Sequence, residues 1–496
     1  MQNKQIITNS GAAVGQALFS GALLFFLYRY LIANLGIEKL GIWSLVLATT
    51  SVSRISAFGL SGSVVPFVAK YKARGAENDA TRVLQTAAIS VVVLLGGLVL
   101  FLYPFFEWIL SRVITGPEIT DALEILPFAV VSLLVGTVGG IYQSGLDACQ
   151  RIDLRSLINI GTGGLYFLLV IILVPEYGLV GVASAQLLQA VAIVILACIF
   201  VRHQLPSLPV IPYQWTGRLF RAMFHYGVKF QVITISMMLI DPVTKALMAR
   251  YGSLSLVGYY EMSNRMLEQV RSILMSANQV LVPVFATVKE QAGDINHLYL
   301  NSYRLMLYLA VPLFGAVIAA TPLISLVWIG HYEDVFVLFT MVLVCGWVVN
   351  TLSIPAYFVC MGCENLRPNT VGYVFMGVTN IGFGLALALM FGGVGVVVGR
   401  VLALFLGSVI LIVLFHRENN IDKVELFRQE DMFHVQSCIV GVIAAFALYG
   451  ALISQLDEFH VALLALFCFL LIMGYAVWRH PMRVRILGWL GVNDGK

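Results

Sequence analysis

The chain has 496 residues, of which 59% are apolar and only 11% charged; a soluble domain is covered by about 25% charged residues. With a mean hydropathy of +0.90, that composition excludes a disordered chain, a collagen-like chain, a soluble multidomain enzyme and a disulfide scaffold, and it points to an all-α integral membrane protein. The formal charge of +4 is too small to imply nucleic acid as a partner, so the placement of the charges matters more than their sum.

A bilayer core takes about 20 apolar residues per helix, at a rise of about 1.5 Å each. That ruler predicts fourteen spans, near 11–33, 41–67, 83–105, 122–146, 156–174, 178–200, 222–248, 256–286, 305–328, 335–358, 370–391, 394–415, 434–453 and 459–478. The first is expected to remain as a span rather than be cleaved as a signal: it is long, carries Arg29 near its far end and has no basic stretch before it beyond Lys4. With the N-terminus in the cytoplasm, 20 of the 30 Lys and Arg residues fall on the inner side, and only Lys39, Arg112 and Arg250 on the outer. That asymmetry is a strong positive-inside signal and puts both termini in the cytoplasm.

The largest gaps, about 201–221 and 416–433, are both cytoplasmic. The first is Pro-rich and then basic and amphipathic, as in a linker ending in an interfacial helix. The outer loops are short and hold few polar residues, so no catalytic loop and no enzyme activity are expected. Cys198, Cys345, Cys360 and Cys438 lie in apolar runs as packing residues. Cys360 and Cys363 have a metal-like spacing but no companion pair, so neither metal nor cofactor is expected.

The halves repeat. LIANLG (31–36) lies over LMARYG (247–252), which also superposes Arg29 on Lys245. One residue further on in offset, Gly41 meets Gly258, Trp43 meets Tyr260, Arg54 meets Arg271, and Pro66 meets Pro283. GLVGVASAQ, starting at Gly178, resembles GGVGVVVGR, ending at Arg400, and ACQR (148–151) resembles GCEN (362–365). Six spans per copy is an even number, so both copies enter the membrane from one side, related by a pseudo-two-fold along its normal. The expected organisation is an N-lobe over 1–203, a linker over 204–221, a C-lobe over 222–416, a second linker over 417–433, two appended spans over 434–478 and a tail over 479–496. Transporters built this way bind substrate between lobes; a duplicated scaffold without transport is the alternative.

Seven cations fall within the spans: Arg29, Arg54, Lys229, Lys245, Arg265, Arg271 and Arg400. A charge at the bilayer centre costs at least about 2.5–3.5 kcal/mol, so such residues face protein or a wet cavity. Six of the seven lie on spans one, two, seven and eight, the repeat-related pairs, which predicts one cationic cavity at the lobe interface. Arg54 and Arg271 lie roughly 20 Å deep, beyond easy snorkelling. Asp241 stands four residues before Lys245, and Glu261, Arg265, Glu268 and Arg271 alternate along one face of span eight, so structural ion pairs are the competing reading. Arg29, Arg54, Lys229 and Arg400 have no acid one turn away in their own spans. That surplus favours an anionic ligand, and the Arg fork suits phosphate. Asp241 and Glu268 are the candidate carboxylates for ion coupling. The Gly-rich stretches GTGG (161–164) and GFG (382–384) lack a following Walker lysine and read as close helix packing. Trp43, Trp108, Trp215, Trp328 and Trp478 sit near the expected interfaces, as an aromatic belt does.

The order LGIEKLGIWSL (35–45), FGLSGSVVPFVAKYKARG (58–75), YQSGLDACQRIDLRS (142–156), PEYGLVGVASAQ (175–186) and DPVTKALMARYGSLSLVGYYEMSNRM (241–266) resembles a known family. It is that of the polysaccharide transporters (Wzx-type, lipid-linked oligosaccharide flippases) in the multidrug/oligosaccharidyl-lipid/polysaccharide superfamily. The likeness spans nearly all of 1–416, and fourteen spans fit its flippase branch. The resemblance implies a bacterial inner-membrane flippase of undecaprenyl-pyrophosphate-linked sugar units for O-antigen, capsule or a similar polymer, with membrane lipids, a polysaccharide polymerase and chain-length machinery as partners. By likeness to the lipid II flippase of the superfamily, Arg29, Arg54 and Arg265 occupy the spans whose arginines hold the pyrophosphate, and 434–478 would form a groove for the lipid tail. The expected substrate-binding set is Arg29, Arg54, Lys245, Arg265 and Arg271. The rival readings are a cation-coupled multidrug exporter, which would need an uncompensated acid in span one, and a polysaccharide polymerase or ligase, which would need a catalytic outer loop.

Overall fold

The structure, a computed structural model, describes residues 2–53, 60–279, 294–363, 365–421 and 429–489. Arg54 and Pro283 lie outside the described residues, and so does the side chain of Lys229. Among the described residues there are fifteen helices and no strand. They are α1 (Gln2–Leu35), α2 (Ile37–Ser51), α3 (Leu60–Ala73), α4 (Glu77–Val113), α5 (Glu118–Ala148), α6 (Ile152–Gln204), α7 (Gly217–Tyr251) and α8 (Leu254–Gln279). Then follow α9 (Ile295–Trp328), α10 (Asp334–Leu352), α11 (Ile354–Gly362), α12 (Arg367–Glu418), α13 (Gln429–Leu452), α14 (Glu458–Arg479) and α15 (Met482–Trp489). Irregular backbone cannot face lipid, because its polar groups would go unsatisfied; an apolar chain of this length has helices as its way of crossing.

Among the described residues, ten helices are long and apolar enough to span a bilayer. Two of them, α6 with 53 residues and α12 with 52, are too long for one crossing of about 20 residues. Each breaks at a glycine with positive φ, Gly178 (φ 53°) and Gly392 (φ 62°), where a side chain would be strained. The break at Gly392 falls between the spans expected over 370–391 and 394–415, and that at Gly178 on the first residue of the span expected over 178–200, so each long helix is a tight pair of spans. The turns repeat in detail. Three residues on, a Cβ at Gly181 would lie 2.6 Å from the Leu173 carbonyl oxygen, and one at Gly395 would lie 2.0 Å from that of Leu387. Both glycines let the second span of the pair press against the backbone of the first. Cys149 and Cys363 likewise end α5 and α11 with nearly the same geometry, φ −84° and −88°.

The chain divides into two compact units, Met1–Gly258 and Tyr259–Lys496. In the first, α5 packs on α6, α6 on α1, and α7 against α2, α3 and α4. The segment between α6 and α7 is tied to α4: the Tyr213 and Gln214 amides donate to Gln85 Oε1 at 3.2 and 3.1 Å, and Trp215 Nε1 donates to Ser90 Oγ at 3.0 Å. The repeat-related glycines Gly41 and Gly258, both in this unit, meet where α2 crosses the first turn of α8. A Cβ on Gly41 would lie 2.1 Å from the Leu254 carbonyl oxygen, and one on Gly258 would lie 2.5 Å from that of Ile37. In the second unit α10 packs on α12, and α13 and α14 pack on each other and on α9.

Candidate functional site

In the first unit Lys245 is buried on α7, 1% exposed, with its Nζ 2.7 Å from Asp241 Oδ2 one turn earlier. The i,i+4 order, acid before base, favours this pair on a helix, and it compensates the ammonium where water does not reach it. Pro242 lies next to that carboxylate and interrupts the amide ladder of α7. Arg29, superposed on Lys245 in the repeat, instead has an exposed side chain on α1.

In the second unit the polar face of α8 forms a continuous network. Arg265 Nε donates to Glu261 Oε1 at 2.8 Å, and its Nη1 donates to Glu268 Oε2 at 3.0 Å. The other oxygen of Glu268 accepts from Asn264 Nδ2 at 2.9 Å. Asn264 Oδ1 in turn accepts from Trp347 Nε1 at 3.2 Å, which fixes the indole of α10. Two turns toward the start of α10, Thr340 Oγ1 donates to Ser263 Oγ at 3.0 Å. These two bonds hold α8 and α10 in register.

Arg271 continues this face, three residues beyond Glu268, whose oxygens accept from Arg265 and Asn264. Its guanidinium instead lies over the Trp347 ring, 5.5 Å from the centroid, with Nη1 3.5 Å from Met275 Sδ. The Tyr373 hydroxyl of α12 lies near the same guanidinium. Among the described residues its buried Nε has no hydrogen-bond partner. A second guanidinium, Arg400 of α12, lies 5.9 Å from the same centroid.

The site residues thus sort by charge balance. Lys245 and Arg265 carry carboxylate partners, with Asp241 and Glu268 serving in those pairs. Arg271 has no carboxylate partner among the described residues. Arg54 lies outside the described residues. Arg29, Lys245 and Asp241 belong to the first unit, and Arg265, Glu268 and Arg271 to the second. Arg400, Trp347 and Tyr373 were not among the expected site residues. Arg400 did carry a signal, a cation with no acid one turn away. So did Trp347, an indole mid-span rather than at an interface, whose N–H needs a buried partner.

The family described as "Polysaccharide biosynthesis protein" matches residues 35–337. No curated protein matches the chain. Among solved structures, the lipid II flippase MurJ in an inward closed conformation is similar, with a TM-score of 0.71 at 13% identity over 95% of this chain and 98% of that one. A multidrug resistance MATE family transporter in an inward-facing conformation gives a TM-score of 0.70 at 15% identity, over 80% of this chain and 94% of that one. A transporter of the same superfamily from Pyrococcus furiosus, described as having a binding pocket of reverse polarity, gives 0.59 at 14% identity over 84% and 96%. At such identities the likeness establishes the fold, that of the multidrug/oligosaccharidyl-lipid/polysaccharide superfamily.

Proposed function

The chain belongs to the family of polysaccharide biosynthesis proteins, and from that premise we propose that it is a flippase for polyprenyl-pyrophosphate-linked oligosaccharides in the bacterial inner membrane. It is a multi-pass membrane protein with the fold of superfamily transporters. On this reading its termini are cytoplasmic, it catalyses no covalent chemistry, and it supplies lipid-linked units to a polysaccharide polymerase and chain-length machinery.

The observation that carries the reading is Arg271. Seventeen residues into α8, it lies about 26 Å along the helix from its start, and among the described residues no carboxylate neutralises it. A cation within a span and without a partner carboxylate is costly, a cost that an anionic ligand offsets. A pyrophosphate is such a ligand, and Arg binds it by a rigid fork. In the proposed cycle Arg271, with Arg29, Arg54, Lys245 and Arg265, attracts the headgroup into an inward-open cavity while the polyprenyl chain stays in lipid against α13 and α14. The lobes then rock and release the headgroup outward. Moving an anion toward a positive exterior draws about 2.3 kcal/mol per charge per 100 mV from the membrane potential.

The test is charge reversal. In cells lacking the gene, Arg271→Glu should fail to restore surface polymer, while Arg271→Lys restores part of it. Unimpaired export by Arg271→Glu would remove the cationic-cavity reading. Drug resistance conferred by the wild-type gene, with no effect on polymer, would favour a multidrug exporter instead.

A further inference from the structure

The second unit holds a more demanding arrangement than Arg271 alone. Arg400 is 6% exposed, and among the described residues its Nε and Nη1 are buried with no hydrogen-bond partner. Arg271 Nε is in the same condition. Three buried N–H donors from two guanidiniums therefore surround one indole, with both carbon centres within 5.9 Å of its centroid. Cation–π attraction returns about 2 kcal/mol for a desolvated cation, short of the several kcal/mol that a buried uncompensated charge costs. Among the described residues no carboxylate pairs with Arg271 or Arg400; Glu261 and Glu268 pair with Arg265.

The backbone around Arg400 is built for close approach. A Cβ at Gly346, beside Trp347, would lie 3.1 Å from Leu404 Cδ2 and 3.4 Å from the Val401 carbonyl oxygen. One at Gly399 would lie 2.7 Å from the Gly384 amide nitrogen. Small residues on both sides of Arg400 thus press α12 against α10 and against its own first half. Asn264 fixes Trp347, and both guanidiniums lie against that ring, so the donors are gathered before any ligand arrives. The helices α8 and α10 and the second half of α12 share a direction, since each forms an even-numbered span. Counting along them puts Arg400 about 12 Å, Trp347 about 20 Å and Arg271 about 26 Å from that side, a bracket around the middle of a core about 30 Å thick.

We infer that Arg400 and Arg271, spaced by Trp347, form an oxyanion site for a phosphoryl group contained within the C-terminal unit. A phosphoryl group supplies the missing parts: negative charge, and several acceptor oxygens for the unfilled N–H donors. The inference deepens the flippase reading, on which it rests for taking the phosphoryl group from a polyprenyl carrier. Free phosphate or pyrophosphate has the same chemistry.

The experiment measures binding to the purified full chain in nanodiscs by titration calorimetry and thermal shift. The probes are farnesyl pyrophosphate, sodium pyrophosphate and sodium phosphate, with farnesol as the uncharged control. Wild type should bind at least one phosphorylated probe and not farnesol. Arg400→Gln should weaken that binding at least about tenfold, the loss of a charge-assisted bond, and Arg400→Lys should keep part of it. Without ligand, Arg400→Gln should melt no lower than wild type, because it removes a buried unpaired charge; a merely structural arginine would lower it. Binding of farnesyl pyrophosphate alone assigns the site to a lipid headgroup, and equal binding of the inorganic ions assigns it to free phosphate. Wild type binding no phosphorylated probe, or Arg400→Gln binding as tightly as wild type, would overturn the inference. Should Arg400→Gln not fold, Trp347→Phe and Arg400→Lys carry the same comparison. Transport is read separately. Arg400-dependent binding by a protein that moves no lipid-linked oligosaccharide would keep the site and remove the flippase reading. Intact transport and binding in Arg400→Gln would do the reverse.

Discussion

Replacing Asp241 with Asn removes one charge from a pair whose other member is sealed inside the protein. Lys245 is 1% exposed and Asp241 28%, with Nζ and Oδ2 2.7 Å apart. At an effective dielectric of about 20, unit charges that close attract by about 6 kcal/mol, most of which is offset by the desolvation of both groups. Removing only the carboxylate leaves the ammonium buried, and the expected cost is about 3–5 kcal/mol. Lys245→Met on its own leaves a partly exposed carboxylate and should cost less. The double variant Asp241→Asn/Lys245→Met should recover most of the loss, a coupling of about 2–3 kcal/mol. Unfolding by SDS titration of the four proteins measures this cycle. Single effects that add within about 0.5 kcal/mol would show that the pair does not act as a unit. Transport assays must then be normalised to folded protein: under potential-driven movement Asp241→Asn keeps its rate per folded molecule, whereas ion coupling through Asp241 loses it.

Gly181→Ala and Gly395→Ala should each destabilise by about 1–3 kcal/mol, because the added methyl meets a carbonyl oxygen that cannot retreat; melting of the two variants in detergent should show losses of similar size. Gly41→Val should disrupt the crossing of α2 and α8 at Gly258, lowering both stability and transport, whereas Gly62→Ala, where nothing lies within 4 Å, should not. Asp431 on α13 and His480 after α14 are both buried and 3.2 Å apart. Asp431→Asn should loosen this clamp by about 1–3 kcal/mol, seen as faster proteolysis at the C-terminal end.

Much of the architecture was legible in local pattern. Gly178 opens one expected span and Gly392 lies between two others, and both turn out to be the turns that fold an over-long helix into two spans. Their helical spacing also wrote the Asp241–Lys245 and Glu261–Arg265–Glu268 pairs into the chain, since residues one turn apart must share a face. Arg271 shows where that logic stops. By spacing it had Glu268 as a partner, yet the oxygens of Glu268 accept from Asn264 and Arg265 and the Arg271 guanidinium lies over Trp347 instead. The meeting of Arg271 and Arg400 at Trp347 depends on how α8, α10 and α12 are rotated about their axes, which the period of an apolar helix leaves open. Gly346 is the exception. It marks a close approach, though not to which helix.

The most direct measurement is flipping in proteoliposomes under an imposed potential, following a polyprenyl-pyrophosphate-linked oligosaccharide by lectin access to its sugar on the far leaflet. Wild type should move the sugar across, and Arg271→Gln should slow it at least about tenfold. A wild-type rate equal to that of protein-free liposomes, or an Arg271→Gln rate equal to wild type, would contradict the Arg271 guanidinium as the seat of the pyrophosphate.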